Sequence, residues 1–193
     1  MQTVSEIGCL LIDDLLPGGA SLAPLEAAMV PGGFRAARFS AEPAPQLHHA
    51  LQRAYQRVRR DGDVNALVGL GAGCDAALAL AGQLPVDRLA LLGPTDWRMG
   101  GPWARPLRRV REYARRGAVF CVADVLLMPG ADMAPCQRLR RALCNSRVTL
   151  FRPSEAALLK DKDILKTAIL HFLRHGVLPK SLAENPEMCI IYE

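Results

Sequence analysis

From end to end, this chain alternates short apolar runs of strand length with longer segments of helical period, and that rhythm limits the fold more than any motif does. Strands covered on both faces lack the polar alternation of a half-exposed sheet, so IGCLLI, ALVGL, LALL, VLLM and VTLF read as buried strands. The helical stretches between them supply crossovers. Together they predict an α/β protein, a three-layer sandwich with a mostly parallel central sheet.

Local punctuation sets the elements. Ile7–Ile12 reads as the first strand and ends at Asp13-Asp14 and the loop LLPGGA. Ser21 is expected to cap a short helix, SLAPLEAAMV, which Pro31-Gly32-Gly33 stops. Phe34 to Ser40 reads as a second strand. In the helix from Gln46 to Arg60, His48, Leu51, Tyr55 and Val58 fall on one face and Arg53, Arg57 and Arg60 largely opposite. The strand Ala66 to Leu70 turns through Gly71-Ala72-Gly73 into the small-residue helix CDAALALAGQ. Strands follow at Leu89 to Leu92, Val125 to Met128 and Val148 to Phe151, with the helix APCQRLRRALCN before the last of them. A closing helix is expected over 156–174. One segment breaks the rhythm, about 95–118, with both tryptophans and many arginines. The expected organisation is a single domain over 1–176, carrying that insertion as a lid, and a tail over 177–193 with the β-prone run CIIY.

Half of the residues are apolar and 22% are charged, which excludes a disordered or collagen-like chain. No apolar run reaches the roughly 18 to 20 residues that cross a bilayer, and MQTVSE lacks the form of a signal peptide. A soluble, cytoplasmic protein without membrane association is expected. Six cysteines without CxxC spacing suggest neither a metal site nor a disulfide framework. The net charge is +5, but the bases are spread over several helices without interleaved aromatics, so nucleic acid is not the expected partner.

Four segments in order resemble a small α/β-hydrolase of the esterase/lipase type. CLLIDDLLPGGASLAPLEAAM is similar to the first core strand, oxyanion loop and first helix. ALVGLGAGCDAALALA is similar to the nucleophile elbow, whose family pattern is G-x-S-x-G. DVLLMPGADMAP resembles the strand and loop that carry the acid, and VTLFRPSEAALLKDKDILKTAILHFLRHG the last strand, histidine loop and closing helix. The resemblance implies an α/β-hydrolase-like fold with a short helical lid.

The catalytic positions depart from that pattern. Gly71 stands where the nucleophilic serine belongs, within Gly69-Leu70-Gly71-Ala72-Gly73. Asp13 and Asp14 replace the usual His-Gly of the oxyanion loop, and carboxylates facing a developing oxyanion would oppose it. Asp132 lies one residue before the usual acid position, now Met133. Ala156 or Ala157 falls where the histidine is expected. Without nucleophile and base, the acid has nothing to orient. Glycine at the elbow suits the fold all the same, because it adopts the strained turn at no steric cost.

Other groups could replace the triad. Cys74, at the start of the elbow helix, is the alternative nucleophile. His48, His49, His171 and His175 all lie within helices rather than on loops at strand ends. Asp13, Asp14 and Asp132 could gather above the sheet and hold a cationic ligand. Gly69-x-Gly71 begins a dinucleotide fingerprint, yet Cys74 takes the third glycine's place and no Gly-Lys-Ser/Thr follows, so no cofactor is expected.

The expected protein is therefore a catalytically degenerate α/β-hydrolase-like pseudoenzyme that binds a small ligand or a partner. The candidate ligand-binding residues are Asp13, Asp14, Gly71, Ala72 and Asp132, with Trp97, Trp103 and Arg105 of the lid, where an acidic ligand is expected. The alternative is an active esterase, thioesterase or acyltransferase relative using Cys74. A third reading is a structural module that forms a homo-oligomer by adding CIIY to a neighbour's sheet edge.

Overall fold

The computed structural model describes residues 6–16, 18–40, 46–94, 122–143, 146–161, 163–183 and 188–192. Within them, seven strands form one sheet: β1 (Ile7–Ile12), β2 (Phe34–Phe39), β3 (Val64–Leu70), β4 (Arg88–Leu92), β5 (Asp124–Met128), β6 (Arg147–Pro153) and β7 (Met188–Tyr192). Their order is β2-β1-β3-β4-β5-β6-β7. The first six are parallel to their neighbours, and β7 closes the sheet antiparallel to β6. The α/β expectation holds at this level.

The chain steps outward from β1 to β2 and then returns across β1 to place β3, so the C-terminal ends of β1 and β3 flank the sheet's topological switch point. In open α/β sheets this is where a crevice forms, because the crossovers on its two sides leave over opposite faces.

Two apolar layers cover the sheet. On one side lie α2 (Leu47–Val58), α3 (Gly73–Ala81) and α4 (Ala134–Ala142), which pack Leu51, Tyr55, Ala77 and Cys136 against Leu10, Leu67, Leu89 and Leu127. On the other, α1 (Ala23–Met29) and α6 (Ile164–His175) set Met29, Ile169 and Phe172 against Leu11, Val68, Ala90 and Phe151. Successive residues of one strand feed opposite layers, Leu10 one and Leu11 the other, which explains why both had to be apolar.

Four sequence expectations are corrected. The cap of α1 is Leu22 rather than Ser21, because Pro24 fixes the first turn one residue later; the Ser21 hydroxyl still accepts the Ala23 N–H at 3.1 Å. On α2 the buried face is Leu47, Leu51, Tyr55 and Val58, and His48 sits beside it, half-buried. The closing helix is two helices, α5 (Glu155–Lys160), capped by Ser154, and α6. They part at Asp161, which is extended and whose carboxylate accepts the Asp163 N–H at 2.9 Å, a local bond that competes with helix continuation. The segment expected as a tail supplies α7 (Lys180–Ala183) and β7, with Leu178 and Leu182 buried in the second layer.

Candidate functional site

The turn from β3 into α3, the segment expected as an elbow, is a tight strand-to-helix turn built on glycines at 69, 71 and 73. Gly71 has φ +55°, a left-handed conformation that side chains resist, and its N–H donates to the Leu92 carbonyl at 2.9 Å. The flanking glycines are needed for packing. A Cβ on Gly69 would meet the Cα of Cys74 at 2.7 Å, and one on Gly73 would strike the carbonyls of Ile12 and Asp13. The G-x-G-x-G spacing thus lets α3 press against the ends of its own strand and of β1.

No side chain projects from the elbow, and its space is already taken. A Cβ on Gly71 would lie 2.5 Å from Asp14 Oδ2, 2.6 Å from its Cγ and 2.9 Å from Oδ1. The Asp14 carboxylate covers the glycine and accepts two backbone donors on Oδ1: the Ala72 N–H at 3.1 Å and the Leu16 N–H at 3.2 Å. An elbow enzyme binds its oxyanion with the N–H after the nucleophile and one from the loop after the first core strand. Here the N–H of Ala72 and that of Leu16, in the loop after β1, both serve an internal carboxylate. Gly19 completes the cradle, since a Cβ there would come within 2.7 Å of the Asp14 Cβ.

Asp13, its neighbour, faces away. Its carboxylate is buried and fully engaged: Leu22 N–H donates at 2.7 Å, Arg38 Nη1 at 2.9 Å and Ser21 Oγ at 3.4 Å. Arg38 also pairs with Glu26 at 3.1 Å, so Asp13 ties the end of β1 to β2 and the start of α1. The two carboxylates thus have separate sets of partners despite their sequence contact.

The remaining positions do not converge on the elbow. Asp132 is exposed and its Oδ1 accepts the Ala134 N–H at 2.9 Å, closing the first turn of α4. Ala157 is buried in the second apolar layer within α5, and its N–H donates to Ser154 Oγ at 3.1 Å. Cys74 is buried, with its thiol turned inward to the Gly69 carbonyl at 3.2 Å. Burial chiefly, and then the charge of Asp75, raise its pKa well above the ordinary thiol value, so a nucleophilic thiolate is disfavoured. Among the described residues no three of His, Cys, Asp and Glu are gathered to hold a metal ion, and no helix is long and apolar enough to cross a membrane. The expected lid, with Trp97, Trp103 and Arg105, lies outside the described residues.

Sequence reasoning named Asp14 and Ala72 as ligand contacts and missed Leu16 and Gly19. The signal for both was the turn sequence LLPGG after the paired aspartates: Asp14 bonds two residues ahead, and glycine allows the loop to fold back over it.

No protein-family model matches the chain, and no curated protein is similar enough to it to count as a relative.

Proposed function

We propose that this chain is a non-catalytic, α/β-hydrolase-like protein whose elbow is closed by its own Asp14 and whose function is interaction with a partner rather than turnover. The observation that carries the reading is the Asp14 carboxylate over Gly71, held by the N–H groups of Ala72 and Leu16. The strand order supports only the general class, since several doubly wound folds share it. The hydrolase-like part rests on the elbow itself, a strand, a left-handed glycine and a helix, with glycines two residues to either side.

Chemically, such a site lacks every part of acyl transfer. No nucleophile stands at the turn, the two donors that would stabilise an oxyanion are satisfied by a negative charge, and the position expected for a base is a buried alanine. An acyl group approaching Gly71 meets a carboxylate instead of a hole. The closed space over the elbow favours interaction over small-ligand binding at this point, and the buried thiol of Cys74 weighs against the esterase alternative.

The reading is tested by incubating the purified chain with a fluorophosphonate probe and short-chain nitrophenyl esters. No covalent label and no hydrolysis above the uncatalysed rate are expected. Stoichiometric labelling or saturable turnover would overturn it.

A further inference from the structure

Several arginines of the described surface are held in ion pairs. Arg35 pairs with Glu6 and Asp63, Arg38 with Asp13 and Glu26, Arg59 with Asp61, and Arg147 with Asp124. The outer face of α2 is basic and has no such pair among the described residues. Its twelve residues, LHHALQRAYQRV, contain no acid, and Arg53 and Arg57 form no ion pair among the described residues.

These two arginines line an open groove of about 590 Å³ together with His49, Gln52, Gln56 and Leu84. His49, Arg53 and Arg57 are exposed and recur every fourth residue, so they form a stripe with about 6 Å between members along the axis. Gln52 and Gln56 run beside the stripe and offer donors and acceptors. Leu84, half-buried and packed against the core, gives the groove an apolar margin.

We propose that this groove docks an acidic helical segment of a partner protein. A helix with carboxylates at every fourth residue repeats the spacing of the basic stripe, so the three positions can be met at once. A single nucleic-acid strand fits less well. Its non-specific binding relies on aromatic platforms for the bases, and the one aromatic of α2 besides its histidines, Tyr55, is buried with its hydroxyl on the Pro85 carbonyl at 2.6 Å. Each exposed ion pair contributes little, so the interaction is weak, additive over the stripe and sensitive to salt.

The inference deepens the interaction reading of the preceding subsection but fails separately from it: ester turnover would leave peptide docking standing, and absent docking would leave Gly71 without a nucleophile.

Fluorescence anisotropy with the full chain tests the proposal. The probes are a labelled helical peptide with glutamate at every fourth position, its glutamine counterpart and a labelled single-stranded oligothymidine. Binding of the glutamate peptide is expected at low salt. It should weaken by about tenfold or more, equivalent to about 1.4 kcal/mol, for the glutamine peptide and for the variant Arg53→Glu/Arg57→Glu. Circular dichroism of that variant should match the parent, because both side chains are exposed. No binding of the glutamate peptide overturns the proposal, and so does binding that the double reversal leaves unchanged. Tighter binding of the oligonucleotide, lost in the same variant, overturns it in favour of nucleic acid. The variant Arg108→Glu/Arg109→Glu serves as the second arm. Loss of peptide binding there, with retention in Arg53→Glu/Arg57→Glu, assigns the acidic partner to the basic 95–118 segment and sinks the α2 groove.

Discussion

The carboxylate of Asp14 occupies the space into which a side chain on Gly71 would project, 2.5 Å from its nearest oxygen to that missing Cβ, and the two residues exclude each other's alternatives. A serine at 71 requires the Asp14 carboxylate to shift from its place over the turn.

Gly71→Ser should therefore destabilise the fold by at least about 2 kcal/mol, from left-handed strain and from overlap with Asp14. Adding Asp14→Ala removes the overlap and leaves the strain. A double-mutant cycle by urea unfolding should show the two substitutions coupled by roughly 1 kcal/mol, the pair costing less than the sum. Strict additivity would mean that the contact does not exist in solution.

Asp14→Ala by itself strands the Ala72 and Leu16 N–H groups, for which a cost of about 1–3 kcal/mol is expected. Asp14→Asn keeps one oxygen acceptor and should recover more than half of that loss. Denaturant midpoints of the two variants decide the matter; equal loss in both would place the stabilisation in the charge and not in the hydrogen bonds.

Thiol alkylation should follow burial. Cys189 is exposed, whereas Cys9, Cys74 and Cys136 are buried, and burial raises the thiol pKa of all three, that of Cys136 to about 11. Iodoacetamide mapped by mass spectrometry on the native protein should modify Cys189 before Cys9, Cys74 and Cys136, which it reaches only on unfolding. Rapid native labelling of Cys74 would contradict the inward thiol and revive it as a nucleophile.

Mild acid should weaken the fold before the carboxylates titrate. Burial lowers the pKa of His48, with the charge of His49 adding to the shift and the Gln83 hydrogen bond opposing it. His175 is lowered by partial desolvation and by its cationic neighbours His171, Arg174 and Arg88. A base whose folded pKa lies below its unfolded value binds more protons when unfolded, so the stability tied to neutral imidazole is complete above about pH 6.5 and is lost as the pH falls from there. Urea midpoints should decline between about pH 7 and pH 5.5, and His48→Gln should flatten that decline. A slope indifferent to His48→Gln would assign the effect elsewhere.

The elements were legible in the sequence because their causes are local. Ile7–Ile12 could be read as a strand to the residue, since a fully apolar run ended by two aspartates has no helical alternative of that length. The tight turn was legible for the same reason: glycines at 69, 71 and 73 between a strand and a helix announce a turn too tight for side chains. The break at Asp161 was not legible, because the apolar period continues across it and only the local carboxylate bond stops the helix. The seventh strand was half legible. CIIY showed its β preference, but its antiparallel place beside β6 depends on an edge that exists only once the sheet has formed.

The paired aspartates mark the limit most clearly. Composition, periodicity and glycine spacing determined an α/β sheet with a tight glycine turn after β3, because each follows from neighbouring residues. The roles of Asp13 and Asp14 were decided by tertiary structure alone. One carboxylate meets Arg38 and the other covers Gly71, and the Ala72 N–H that Asp14 accepts is 58 residues away along the chain. A carboxylate's function is set by the donors that reach it, and the decisive ones, Arg38 for Asp13 and Ala72 for Asp14, arrive only when β1 meets β2 and β3.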